Sequence, residues 1–255
     1  MKKIAIITGA TGGIGNEFVR QILTYDLDEI WAVGRKEEKL LELRNTYGEK
    51  IVTVAADLSE VVGIEKIERM LSEQKPEVRF LVNNAGVAKM AASAEFSKEE
   101  IIRTIDINSK APVLLCNICI PYMKSGSNIL NIASASAFQP TPYINLYAAS
   151  KVFERSYSRA LNVELKETGI TVTAVCPGWV DTELLPKEMN GKRVNYPGMV
   201  TAEKVVRTAL KDAKKRRDMS VCSLFVKCQH MNVKFLPQRL VMKIWTGAIK
   251  KYMQG

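Results

Sequence analysis

Short apolar runs alternate with amphipathic stretches along most of this chain. Lys3–Thr8, Glu29–Val33, Lys50–Ala56, Arg79–Val82, Asn128–Ala133 and Gly169–Val175 are each too short for a stable helix and rich in β-branched residues. Their near-continuous apolar character predicts strands buried on both faces. Between them, a helix runs on from Asn16 with Phe18, Ile22 and Leu23 at helical spacing, and others begin at Glu37 and span Val61–Gln74 and Glu99–Met123. A further helix carries Tyr147 and runs to about Thr168. Strands that alternate with helices in this way predict an α/β fold, a single-domain doubly wound Rossmann sheet of about seven parallel strands with helices on both faces. The last elements are less regular. Residues 184–197 are polar, carry Gly191 and two prolines, and suggest a loop with short helical pieces; Met219–Phe225 suggests a seventh strand and Gln238–Tyr252 a final helix after Pro237.

The ends of the strands carry the candidate chemistry. In such folds ligands bind outside the carboxyl ends of the strands, and each polar motif falls there. The first is Thr8-Gly9-x-x-x-Gly13-x-Gly15, straight after the first strand and opening a helix. Its glycines allow close backbone approach, and its amides face a helix end able to receive a pyrophosphate. Arg35 and Lys36 follow the second strand, Asp57 and Leu58 the third, Asn83-Asn-Ala-Gly86 the fourth, Ser134 the fifth and Pro177-Gly178 the sixth. Tyr147 and Lys151 stand four residues apart on one helix, so both face the same way. An ammonium beside a phenol favours the phenolate, which suits a general acid or base acting on a carbonyl or alcohol oxygen. Ser134 would donate a hydrogen bond to the same oxygen.

Glycine spacing from Thr8 to Gly15, the Asn83–Gly86 run, Asn108, Ser134, Tyr147-x-x-x-Lys151 and Pro177-Gly178 together resemble the short-chain dehydrogenase/reductase family over about residues 1–182. Ser134 precedes Tyr147 by 13 residues, as in that family, which selects Ser134 over Ser136. The resemblance implies a catalytic set of Asn108, Ser134, Tyr147 and Lys151. Tyr147 would exchange the proton, Ser134 would position the oxygen, Lys151 would assist the tyrosine and bond the nicotinamide ribose, and Asn108 would shape a helix kink and a water path. It implies a cofactor set of Thr8, Gly9, Thr11, Gly13, Ile14, Gly15, Arg35, Lys36, Asp57, Leu58, Asn83, Ala85, Gly86, Tyr147, Lys151, Pro177, Gly178, Val180 and Thr182. Asp57 would meet the adenine and Asn83 its ribose, while Ala85 and Gly86 would let the cofactor pass close to the backbone. The second strand ends in Gly34-Arg35-Lys36 with no carboxylate, which favours NADP(H) over NAD(H), since an arginine there accommodates a 2′-phosphate. The expected activity is NADPH-dependent interconversion of a ketone or aldehyde with an alcohol. A silent NADP-binding regulatory protein is the rival, and the complete catalytic set speaks against it.

Composition changes this picture in three places. Hydrophobic residues make up 47% and charged residues 25%, and no apolar run approaches the ~18 residues of a membrane span, which fits a cytoplasmic protein. Five cysteines at irregular positions argue for a reducing compartment; Cys116-Asn-Ile-Cys119 sits in an apolar helix-like run without a second ligand pair, so it is read as core and no metal is assigned. His230 is the only histidine, and nothing around it suggests a serine hydrolase.

The net charge of +10 is confined to the end of the chain. Lys and Arg balance Asp and Glu through Ala202, and the 13 against 3 from Glu203 onward carry the whole excess. Together with the resemblance over residues 1–182, this reads the single domain as residues 1–182 for cofactor and catalysis, a substrate loop at 183–204 and a basic segment at 205–255. In the last helix Arg239, Lys243, Lys250 and Lys251 accompany Val241, Ile244, Trp245, Ala248 and Tyr252. A helix packed over the substrate cleft or against a second subunit is preferred to one resting on a membrane as part of a lipid or steroid reductase, and nucleic acid is not expected. Substrate selection is assigned to residues 87–94, 136–145 and 182–199, with Phe138, Tyr143, Trp179 and Leu184 suggesting an apolar carbonyl substrate. The resemblance implies a homodimer or homotetramer built through the helices carrying Asn108 and Tyr147.

Overall fold

The computed structural model describes residues 1–183, 185, 188–189 and 192–253. Strands β1 (Lys3–Thr8), β2 (Glu29–Gly34), β3 (Ile51–Ala55), β4 (Glu77–Asn83), β5 (Asn128–Ile132) and β6 (Thr171–Val175) form one parallel sheet with a two-residue strand, Met219–Ser220, at its edge. From that edge the order is β6, β5, β4, β1, β2, β3, so the chain winds outward in both directions from β1 and β4. The polarity of the sequence explains why both faces are covered. Ile4 and Ile6 point into one apolar layer and Ala5 and Ile7 into the other, and all four are fully buried.

Helices α1 (Gly13–Ile22), α2 (Glu37–Tyr47) and α7 (Ala202–Lys214) close the first layer with Phe18, Leu40 and Val206. On the other face, α3 (Val61–Gln74), α5 (Ala111–Cys119) and α6 (Asn145–Glu164) supply Ile67, Leu115 and Leu161. Cys116 and Cys119 are free and buried in this second core, where burial pushes the Cys116 thiol up to about 12.

Several elements depart from the sequence reading. The single helix expected over Glu99–Met123 is α4 (Lys98–Ile105), one π turn at Asp106–Lys110, then α5 and a short 3₁₀ turn. The helix carrying Tyr147 ends at Glu164 rather than Thr168, and a 3₁₀ turn follows. Ala202–Lys214 is a helix that the expected loop at 183–204 overlaps. Among the described residues, 188–189 and 192–193 pair as a tiny antiparallel ribbon instead of helical pieces. The expected strand Met219–Phe225 stops at Ser220, and Leu224–Phe235 is helix α8, followed by α9 (Gln238–Met253). Val226 explains that change: it is buried, and its methyl group lies against Gly178, a contact made from a helix face. Among the described residues no helix is long and apolar enough to cross a membrane.

Candidate active site

The glycine turn after β1 is built by exclusion. Gly9 has φ +60°, and a Cβ on Gly15 would stand 2.1 Å from the Gly9 carbonyl oxygen, so neither position accepts a side chain without moving the backbone. A Cβ on Gly13 would meet Thr182 Cγ2 at 2.6 Å, which brings the segment after β6 down onto the turn. Thr8 and Asn84 lock the turn to the end of β4. Thr8 Oγ1 accepts from the Asn84 and Ala85 amides at 2.9 and 3.0 Å, and Asn84 Nδ2 donates to the Thr8 and Gly9 carbonyls at 3.0 and 3.1 Å. Asn84 had no expected role; its place in the Asn83-Asn-Ala-Gly86 run after β4 was the signal available in the sequence. Thr11 Oγ1 lies 3.8 Å from where a Gly34 Cβ would be, which places the turn against the end of β2.

Arg35 and Lys36 stand at that strand end, exposed, and neither makes an ion pair among the described residues. Asp57 is more committed. Burial works against its carboxylate, but the Ser59 amide and hydroxyl and the Arg103 guanidinium at 3.0 Å hold it below the usual carboxylate range. Leu58 beside it is buried. Asn83 departs from expectation in its side chain: the carboxamide turns into the core and donates to Asn131 Oδ1 at 2.8 Å, leaving only its backbone near the strand end.

Of the residues expected to be catalytic, Ser134 follows β5 and Lys151 reaches the end of that strand. Ser134 opens the 3₁₀ turn Ala135–Phe138, where its Oγ accepts from the Ser136 amide at 3.2 Å. The next amide, of Ala135, donates to the Pro177 carbonyl at 2.7 Å, joining the ends of β5 and β6. Lys151 Nζ donates to the Ile132 carbonyl at 2.6 Å and lies 5.7 Å from the centre of the Tyr147 ring. Asn108 sits in the π turn, fully buried. Its Oδ1 accepts from the Val87 amide at 2.9 Å, and its Nδ2 donates to the Val87 carbonyl at 2.8 Å and to Ser150 Oγ at 3.1 Å. A Cβ on Gly86 would stand 3.4 Å from Asn108 Oδ1 and 3.6 Å from Lys151 Nζ, so Gly86 keeps the ground over both open.

One buried residue was missed by sequence reasoning. Glu154, one turn beyond Lys151, accepts from its ammonium at 2.7 Å, and the two side chains are only 2% and 5% exposed. Burial pushes Lys151 down, but Glu154 outweighs it and the net shift is upward. Burial pushes the Glu154 carboxyl up to about 7, against the attraction of Lys151. The ammonium has two acceptors, the Ile132 carbonyl and Glu154. The i,i+3 spacing from Lys151 was the signal.

The far end of the chain packs against the segments beside Tyr147 and after β6. Trp179 packs against Tyr196 at 4.9 Å and stacks on Trp245 of α9 at 6.3 Å, and Trp245 Nε1 donates to the Pro142 carbonyl at 2.9 Å. Phe138 lies 3.9 Å from the His230 ring of α8, and Tyr143 is half-exposed with φ +65°. The last helix therefore packs against the loop just before Tyr147. Leu184 lies outside the described residues.

Known proteins resemble this chain. Residues 3–193 match the family described as short chain dehydrogenase. An uncharacterized oxidoreductase of Staphylococcus epidermidis is 30% identical over 207 residues, covering 80% of this chain and 90% of that protein. An NADP-dependent 3-hydroxy acid dehydrogenase of Salmonella typhi is 32% identical over 180 residues, covering 69% and 72%. A short-chain dehydrogenase from Sphingobium yanoikuyae, solved in complex with NADPH, superposes with a TM-score of 0.78 at 27% identity, over 94% of this chain and 95% of that one.

Proposed function

Because this chain belongs to the short-chain dehydrogenase/reductase family, we propose that it is an NADPH-dependent oxidoreductase that interconverts an apolar ketone or aldehyde with its alcohol. The observation that carries this reading is Lys151, held as a buried ammonium by the Ile132 carbonyl and Glu154, with its Nζ 5.7 Å from the ring of Tyr147.

The strand ends fit a nicotinamide dinucleotide. Gly9 and Gly15 let the turn fold tightly on itself and on Asn84, Gly86 puts no side chain over Asn108 and Lys151, and Arg35 and Lys36 are exposed at the end of β2. Arg35, the glycine turn, Asn83 and Ser134 follow four adjacent strands, so the line from Arg35 to Ser134 spans about three strand spacings, ~14 Å. Thr8, Gly9, Thr11, Gly13, Ile14 and Gly15 would take the pyrophosphate, Arg35 and Lys36 the 2′-phosphate, and Asp57 and Leu58 the adenine. Ala85, Gly86, Pro177, Gly178, Val180 and Thr182 would flank the nicotinamide end. Bound there, the nicotinamide supplies or accepts the hydride.

The chain's own groups handle the proton. Tyr147 Oη gives a proton to the carbonyl oxygen in reduction and takes it back in oxidation. Ser134 Oγ donates to the same oxygen and fixes its position. Lys151 holds positive charge beside the phenol, and Asn108 clamps the π turn to Val87 so that Lys151 keeps an open approach past Gly86. Phe138, Tyr143 and Trp179 suit a fatty, steroid-like or aromatic carbonyl compound. Five thiols without disulfides suit work in the cytoplasm.

Replacing Arg35 and Lys36 together by serine is expected to weaken NADPH about tenfold to a hundredfold and to leave NADH unchanged, the effect of losing charge-assisted bonds to one phosphate. Titration of both cofactors against wild type and variant checks it. A wild-type preference for NADH would sink the assignment of Arg35.

The protein works as a homodimer or homotetramer through α4 and α6. Ile102 and Ile105 on α4, and Val152 and Phe153 on α6, are 38–60% exposed and give those helices apolar outer faces. Analytical ultracentrifugation is expected to give two or four times the 28.5 kDa chain mass. A monomer would exclude it.

A further inference from the structure

Helices α8 and α9 have two different faces. Inward, Val226, Val241 and Ile249 are buried and Trp245 is bonded to Pro142. Outward, Leu224, Cys228, Met231 and Phe235 fall at i, i+4, i+7 and i+11, one stripe along α8, and all are exposed, Leu224 and Phe235 by 76% and 79%. Leu240 and Ile244 repeat the i, i+4 spacing on α9, and the Leu236-Pro237 junction between the helices is exposed as well. Surface side chains of this size cost free energy in water unless something covers them.

Charge says what covers them. Lys227 and Lys234 stand one residue before Cys228 and Phe235, and Arg239 and Lys243 one residue before Leu240 and Ile244, so each apolar stripe is edged by exposed cations. Residues 219–255 hold six Lys and Arg and not one Asp or Glu. A second copy meeting this face about a two-fold axis would bring cation against cation. A surface with an apolar interior and anionic headgroups complements both features: the side chains enter, while the long Lys and Arg stems let their charges stay at the headgroups. We infer that the outward face of α8 and α9 docks on an anionic lipid surface.

The inner face of α9 packs on the loop before Tyr147, and the outer face of the same helix is left for lipid. Docking would also set the cleft at the lipid surface, since Val226 touches Gly178 and Trp245 stacks on Trp179.

Flotation of the full chain with phosphatidylcholine vesicles, with and without phosphatidylglycerol, tests this without turnover, so its outcome is separate from that of the hydride-transfer reading. The wild type is expected to float with the anionic vesicles and to stay behind with the neutral ones. Leu224→Ser, Phe235→Ser and Ile244→Ser are each expected to weaken binding about tenfold, and Lys227→Gln, Lys234→Gln and Lys243→Gln about fivefold each. These side chains lie outside the core, so thermal stability and cofactor binding stay as in the wild type. Absence of flotation with anionic vesicles, or flotation undiminished in the serine variants, overturns the inference. So does a fall in sedimentation mass in those variants without vesicle binding, which would assign the face to a protein contact.

Discussion

Tyr147→Phe is expected to lower kcat/KM for carbonyl reduction by about two to four orders of magnitude, the range of a positioned general acid. The variant removes one hydroxyl and keeps the ring, so the contact with Lys151 and the fold of α6 persist. NADPH affinity should therefore change by less than about threefold, because no bond to the cofactor other than one from the phenol is lost. The check is rapid-mixing oxidation of NADPH against aliphatic, aromatic and steroid ketones, with cofactor affinity measured on the same samples. A loss smaller than about tenfold would place the proton donor elsewhere. Binding of NADPH by both proteins with turnover by neither would support the silent regulatory alternative.

The second large effect is expected at Glu154. Lys151 and Glu154 are buried together, so removing one leaves the other charged and without its partner. Glu154→Leu should cost about 3–5 kcal/mol of stability in denaturant unfolding, the usual result of breaking a buried pair from one side. Glu154→Gln keeps the shape and removes the charge, and is the variant for kinetics. With Glu154 neutralised, the largest counterweight to burial at Lys151 is gone and the balance shifts toward the free amine, so the alkaline limb of the pH profile of kcat/KM moves to lower pH. A merely structural residue would lower activity without moving that limb.

The same pair makes stability depend on pH. Glu154 rises in the folded state from 4.5 to about 7. Between those values the folded protein holds a proton that the unfolded chain has shed, so this group's contribution to stability falls as pH rises through the window and is level above it. Lys151 is raised as well, and its contribution is complete below the ordinary lysine range and lost only above it. Urea unfolding of wild type and Glu154→Gln at about pH 5 and about pH 8 isolates the carboxyl: the difference between the two proteins should change across that range. A constant difference would mean that Glu154 does not titrate there.

The strand ends were legible because each motif there obeys a local rule. A glycine turn between an apolar run and a helix, a tyrosine four residues before a lysine, and an arginine where a carboxylate would select NAD are all decided within a few residues of sequence. Glu154 was not legible in the same way. On a helix, a glutamate three residues from a lysine is ordinarily a solvated surface pair, and only the packing of α6 against the sheet turns it into a buried one. Asn83 shows the reverse: its position at the end of β4 was right, but the facing Asn131 on β5 draws its side chain into the core.

Alternation of apolar runs with amphipathic segments determined the order of the six longer strands and the helices around them, since a backbone conformation is selected by near neighbours. The same local signal failed at Leu224–Phe235, where a short apolar run fits a strand as well as a helix. Which side of that helix meets Gly178 and which is left in solvent depends on residues far away in sequence. The burial of the Lys151–Glu154 pair and the outward face of α8 and α9 were therefore decided by tertiary structure, because they depend on distant segments being brought together.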